Sequence, residues 1–89
     1  MNIAVFDTYV TRPDGRRMHF DILVSDLPEA KQTDIVLAHG RRYLAAKGVP
    51  ADTLSARACR FCHVESASPA VQTEVDRTGF AIIELQNCN

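Results

Sequence analysis

Apolar and polar side chains alternate along residues 3–10, Ile3-Ala4-Val5-Phe6-Asp7-Thr8-Tyr9-Val10, and again along residues 17–24, a pattern that predicts two β-strands. Between them, Arg12-Pro13-Asp14-Gly15-Arg16 supplies the turn. Proline suits the first central position of a type I turn, and glycine suits the left-handed residue that follows. A three-residue hairpin loop ending in a bulge sets Arg12 opposite Arg16, so that facing residues have numbers summing to 28. In that register Phe6, Thr8 and Val10 share a face with Met18, Phe20 and Ile22, while Asp7 and Tyr9 lie opposite Asp21 and His19 on the other. A two-residue loop would mix these sets and scatter apolar groups over both faces, which favours the longer loop.

The alternation then gives way to a helical period. Ser25-Asp26 ahead of Pro28 is a helix start signal; Val36, Leu37, Gly40, Tyr43, Leu44 and Lys47 recur at helical spacing, and Gly48 provides the stop. Gly40 inside a helix costs about 1 kcal/mol relative to alanine, which points to close contact with the sheet. Residues 53–62 read as a third strand, with Leu54, Ala56 and Ala58 facing inward. Ser68-Pro69 begins a short second helix, with Val71 and Val75 as its buried pair and Gly79 at its end. Phe80-Ala81-Ile82-Ile83-Glu84-Leu85 is nearly continuously apolar, as in a central strand covered on both faces. The expectation is one α+β domain over residues 1–89 in the order β-β-α-β-α-β, with a mixed sheet and two helices largely on one face.

Eighty-nine residues hold a single core and leave little room for a large private cavity, so a site is expected on a sheet face, in a groove or at a subunit interface. A net charge of −1 gives no electrostatic reason to expect nucleic acid or an anionic membrane, and the clusters Arg12/Arg16/Arg17 and Arg41/Arg42 are too short to change that. No stretch approaches the roughly 20 apolar residues of a membrane span. Met1-Asn2-Ile3-Ala4-Val5 lacks the basic start of a signal peptide, and its apolar run breaks at Asp7. Three cysteines in an unexported chain are expected as reduced thiols, which places the protein in the cytoplasm.

Candidate chemistry gathers at Cys59-Arg60-Phe61-Cys62-His63. Two thiolates two residues apart can share one zinc where the chain turns between them, and His63 and Cys88 are the candidates for the remaining positions. The same run matches c-type haem attachment formally, against which stands the missing export signal. A redox dithiol needs its first cysteine at a helix N-terminus, and the next helix starts only near Pro69. Cysteine is also among the most buried residue types, and Cys59 and Phe61 on one face with Cys62 on the other fits ordinary strand packing, the leading reading.

The second constellation is the polar face of the hairpin. A histidine flanked by carboxylates, as His19 is by Asp7 and Asp21, suits a general base or a metal ligand. The bland counterpart is a solvated sheet face with routine cross-strand contacts. Ile3, Val5 and Leu23 on that same face call for cover by another element or a partner subunit. Should the third strand bring His63 alongside, the two constellations become one site.

At Phe6-Asp7-Thr8-Tyr9-Val10, Met18-His19-Phe20-Asp21 and Cys59-Arg60-Phe61-Cys62-His63 the chain resembles a family of small bacterial proteins catalogued as domain-of-unknown-function family 2024. Gly79-Phe80 and Cys88 match it in position. The resemblance implies a compact α+β domain and brings with it no reaction, cofactor or partner. In the first helix Gly40 and His39 stand where the family looks to have an alanine and an aromatic. The leading expectation is a non-enzymatic domain that binds a small ligand, metal or protein partner, or a second copy of itself, through Asp7, Tyr9, His19, Asp21 and Arg60 together with the cysteine stretch. The alternative is a small metal- or thiol-dependent enzyme with His19 as base and Cys62 as ligand or nucleophile.

Overall fold

The Pro13-Asp14-Gly15 loop closes the hairpin as its residues require. Gly15 takes φ 88°, Arg12 N donates to Arg16 O at 2.8 Å, and the Asp14 carboxylate accepts from both Arg16 N and Arg16 Nε. The computed structural model, which describes residues 1–89, pairs β1 (Asn2–Thr11) with β2 (Arg17–Ser25) in the expected register, from Ile3 opposite Ser25 to Thr11 opposite Arg17. The chain continues through α1 (Thr33–Lys47), a single 3-10 turn (Ala56–Ala58), β3 (Cys59–Ser66), α2 (Pro69–Thr78) and β4 (Ala81–Gln86). This is the β-β-α-β-α-β order of an α+β domain.

The sheet has the order β3-β1-β2-β4, and every neighbouring pair is antiparallel. It is therefore not mixed: β3 and β4 each add to an outer side of the hairpin, and no two adjacent strands run the same way. β4 is an edge strand rather than a central one. Its first two residues are covered, Ala81 on the α2 side and Ile82 on the α1 side, but Ile83 and Leu85 remain exposed.

The two helices lie on opposite faces of the sheet, not on one. Phe6, Val10, Met18, Phe20, Ile22 and Val24 pack with Val36 and Leu44 of α1 in the main core. Ile3, Val5 and Leu23 point the other way and pack with Val75 of α2 and Ala81. Hairpin residues of odd and even number are both partly apolar, so burying them takes two covers.

α1 begins at Thr33; Leu27–Lys31 forms only an isolated turn, with Lys31 N donating to Leu27 O. Gly40 meets the sheet closely, since a Cβ there would lie 3.2 Å from Ile22 Cδ1 and 3.0 Å from Leu54 Cδ2. Leu54 belongs to the loop before the 3-10 turn, and β3 starts at Cys59, six residues later than the alternation of Leu54, Ala56 and Ala58 suggests. α2 is capped as expected: Ser68 Oγ accepts from Val71 N, and Gly79 ends it at φ 92°. On the α1 side, Tyr43 donates to Glu84 Oε2 at 2.5 Å and Lys47 pairs with the same oxygen at 2.7 Å, tying the helix to β4. Those two donors hold the Glu84 carboxyl below the usual carboxylate range.

Candidate functional site

α2 covers only one end of its face. Beyond Val5 and Leu23 that face turns polar, and the hairpin register sets Asp7 opposite Asp21 and Tyr9 opposite His19. Two carboxylates directly across strands repel each other. His19 lies beside the pair: its Nε2 contacts Asp7 Oδ1, and one donor atom from each of Asp7, His19 and Asp21 lies within 4.8 Å of the others. All three are half-buried. The imidazole is fixed from the side by Tyr9, stacked at 4.3 Å and 10°. Arg17 sits over the same phenol ring at 4.0 Å. Tyr9 thus engages both groups through its ring.

The electrostatics follow from this packing. Burial pushes the Asp21 carboxyl up from its ordinary value of 3.8, and the Asp7 carboxylate beside it pushes the same way, against the pull of His19 and His63. Two oxygens and one imidazole nitrogen converging from one hairpin are a donor set that could hold a divalent cation, whose charge would offset the carboxylate repulsion.

The cysteine stretch divides between the two faces. Cys59 is buried on the α1 side, 3.4 Å from the Thr8 hydroxyl, which itself donates to Phe6 O at 3.0 Å. Burial pushes the Cys59 thiol up, so it stays protonated. Cys88 is also buried on that side, its thiol directed at His19 O and Gln86 O. The chain end carrying it is anchored, since Arg12 donates to Asn87 O and Asn87 donates to Arg17 O. Cys62 is exposed. A zinc centre on Cys59, Cys62, His63 and Cys88 therefore does not assemble: strand alternation and the tucked C-terminus keep the thiols apart. The pairing of Cys59 with Cys62 as a redox dithiol fails for the same reason.

Cys62 owes its position to a β-bulge. His63 pairs with Val5 and Phe61 with Phe6, leaving Cys62 as the extra residue. Neighbouring side chains that a regular strand would send to opposite faces thereby meet: Cys62 Sγ lies 3.2 Å from His63 Nδ1, and His63 Nε2 lies 2.6 Å from Glu65 Oε1. His63 shares the face of the Asp7–His19–Asp21 cluster, and its charge reaches Asp21, but its ring contacts only Cys62 and Glu65. The two constellations adjoin without sharing a ligand.

Arg60 pairs across β1 with Asp7 and joins Arg17, Arg57, Ala58, Asp7 and Tyr9 in lining a cleft of about 480 Å³. None of the three arginines forms an ion pair. Arg17 was legible in the sequence, because the hairpin register puts it on the Tyr9 face. Arg57 was not, because it sits in a 3-10 turn where a strand was expected. A second hollow of about 450 Å³, between α2 and β4, is lined mostly by apolar groups such as Val71, Phe80 and Ile82, and holds none of the clustered donors.

Comparison with known proteins agrees with this picture of the fold. The family model described as Domain of unknown function (DUF2024) matches residues 1–85, and the chain belongs to that family. The NMR structure of protein NE1680 from Nitrosomonas europaea is similar over 100% of both chains, at 32% sequence identity and a TM-score of 0.84. No curated protein matches. No helix is long and apolar enough to cross a membrane.

Proposed function

We propose that this domain is a non-enzymatic binding protein whose centre is a divalent-cation site formed by Asp7, His19 and Asp21. The observation that carries the reading is the convergence of three donor atoms, each on a different residue of one hairpin, within 4.8 Å. Preorganisation supports it: the backbone register is fixed by the turn and the His19 ring by Tyr9, so little ordering is left for the ion to impose. The donor set of carboxylates plus imidazole suits Mn²⁺, Fe²⁺ or Zn²⁺ better than a soft ion such as Cu⁺. Isothermal titration of Mn²⁺ and Zn²⁺ into chelator-treated protein tests it. One site per chain is expected, lost in Asp7→Asn and in His19→Ala; heat of binding unchanged in both variants would refute the assignment. Buried Cys59 and Cys88 and an unpaired Cys62 are at home in a reducing compartment, which supports a cytoplasmic location.

A second reading is favoured by the Cys62–His63–Glu65 chain, in which a thiol, a base and a carboxylate that orients the base stand within hydrogen-bond reach. In that reading the base is His63, since His19 is engaged by Asp7. Alkylation of Cys62 with iodoacetamide, followed by mass spectrometry, distinguishes the two. A rate in the native protein that falls about tenfold in His63→Gln supports a thiol chemistry, and a rate equal to that of an unstructured peptide thiol removes it.

A further inference from the structure

The cleft beside the cation cluster carries its own information about the ligand. Arg17, Arg57 and Arg60 approach it from β2, the 3-10 turn and β3, and none is neutralised by a carboxylate within ion-pair distance. The Asp7 carboxylate beside them is turned to His19 instead. Unpaired guanidiniums converging on one concavity are a receptor for an oxyanion, because each presents a planar fork of donors that matches a carboxylate or phosphoryl group. We propose that the cleft binds a small oxyanionic compound, phosphorylated or carboxylated, held between the three guanidiniums and the cation on Asp7, His19 and Asp21; the cation arm of this proposal rests on the reading above.

The two halves of such a site need each other. Without a cation, the anion meets the Asp7 carboxylate at the cleft wall. With one, the charges of the two aspartates are balanced, and the arginines are left to set the potential. Cation and anion therefore tighten each other by one reciprocal factor. The cleft also limits what the anion is attached to. Only Tyr9 and Ala58 of its lining are apolar, and Tyr9 is already engaged by the stacked His19 ring and by Arg17 over its centroid, so the cleft's one aromatic is not open to stack a nucleobase. A short, highly charged metabolite fits; a nucleic-acid strand does not.

The experiment uses inorganic phosphate and malonate as probes, each titrated into the metal-free protein and into protein loaded with Mn²⁺. Arg57→Ala/Arg60→Ala, which removes two exposed side chains with no ion-pair partners, is the test variant, with its melting temperature checked against wild type. At least one anion is expected to bind, about tenfold more tightly with Mn²⁺ present. The variant should weaken that anion about tenfold while changing Mn²⁺ affinity by no more than about twofold. The tighter of phosphate and malonate identifies the chemical group. If Mn²⁺ binds but neither anion does, or if the variant binds the anion as wild type does, the arginine cleft is not a ligand site. If Mn²⁺ does not bind, the cation reading fails separately; the cleft then stands only if the metal-free protein binds an anion that the variant loses.

Discussion

Two halves of one sheet face are built from the same two strands, in the same register, and end up opposite in character. In the first half Ile3, Val5 and Leu23 lie under α2 and are at most 3% exposed. Two residues further along each strand, Asp7 and Asp21 sit half-buried at the edge of that cover, with Tyr9 and His19 beyond them. The boundary is the edge of the area that α2 (Pro69–Thr78) covers as it crosses the sheet from the end of β3 to the start of β4. Cover extended over the carboxylates would disfavour their charge, and less cover would expose apolar strand. Covered half and open half thus divide apolar core from clustered titratable groups on a single surface.

The comparison breaks most visibly at Leu23. Leu23→Ala empties part of the α2 core and should cost about 2–4 kcal/mol, read as a fall in Tm, whereas Asp21→Asn two residues away should cost nothing. If both variants fall equally, the open half is part of the structural core.

Next in size is cation affinity. Asp7→Asn and His19→Ala should each weaken Mn²⁺ by more than about a hundredfold, beyond the roughly 10–100-fold effect of changing a group that only orients a ligand. The matching change in the covered half, Val5→Ala, should lower stability and leave the affinity of the folded protein nearly unchanged.

A smaller effect separates the halves by pH. The folded-state pKa of Asp21 is raised above 3.8, so its contribution to stability is present at low pH and is lost as pH rises through the folded value. Above that value the metal-free wild type carries a charge on the half-buried Asp21 that Asp21→Asn removes. Thermal melts from pH 3.5 to 7 should show the variant gaining on wild type as pH rises, and cation binding should close the gap.

The smallest change lies outside both halves, at His39 on α1. Its ring is stacked on Phe80 at 4.5 Å, its Nδ1 is buried without a partner, and burial followed by Arg42 holds its pKa below 6.5. A depressed histidine gives stability that is present above 6.5 and lost as pH falls through the folded value. His39→Phe should remove that acid-side loss and leave cation binding untouched.

These particular residues also mark how far the sequence could be followed. The hairpin and its polar quartet were fully legible, because Pro13-Asp14-Gly15 admits one loop length and that length fixes every cross-strand partner. The need for a second cover was visible in Ile3, Val5 and Leu23, yet nothing local assigned that role to α2, since a helix with one short apolar stripe fits either face. Leu54, Ala56 and Ala58 alternate as a strand does, so the sequence sets β3 six residues early, although Leu54 packs from a loop onto Gly40. The 3-10 turn that brings Arg57 to the cleft has no such pattern to announce it. The bulge at Cys62 has no glycine to announce it, so the meeting of Cys62 with His63 could be found only in three dimensions.

The central claim is that the open half, and not the cysteine stretch, holds a cation. Paramagnetic broadening of backbone amide signals by substoichiometric Mn²⁺ tests it most directly, because broadening falls steeply with distance from the ion. The prediction is broadening strongest at Asp7, His19 and Asp21, weaker at Ile3 and Val5, and abolished in Asp7→Asn. Broadening centred on Cys62, His63 and Glu65, or none at any residue, would contradict it.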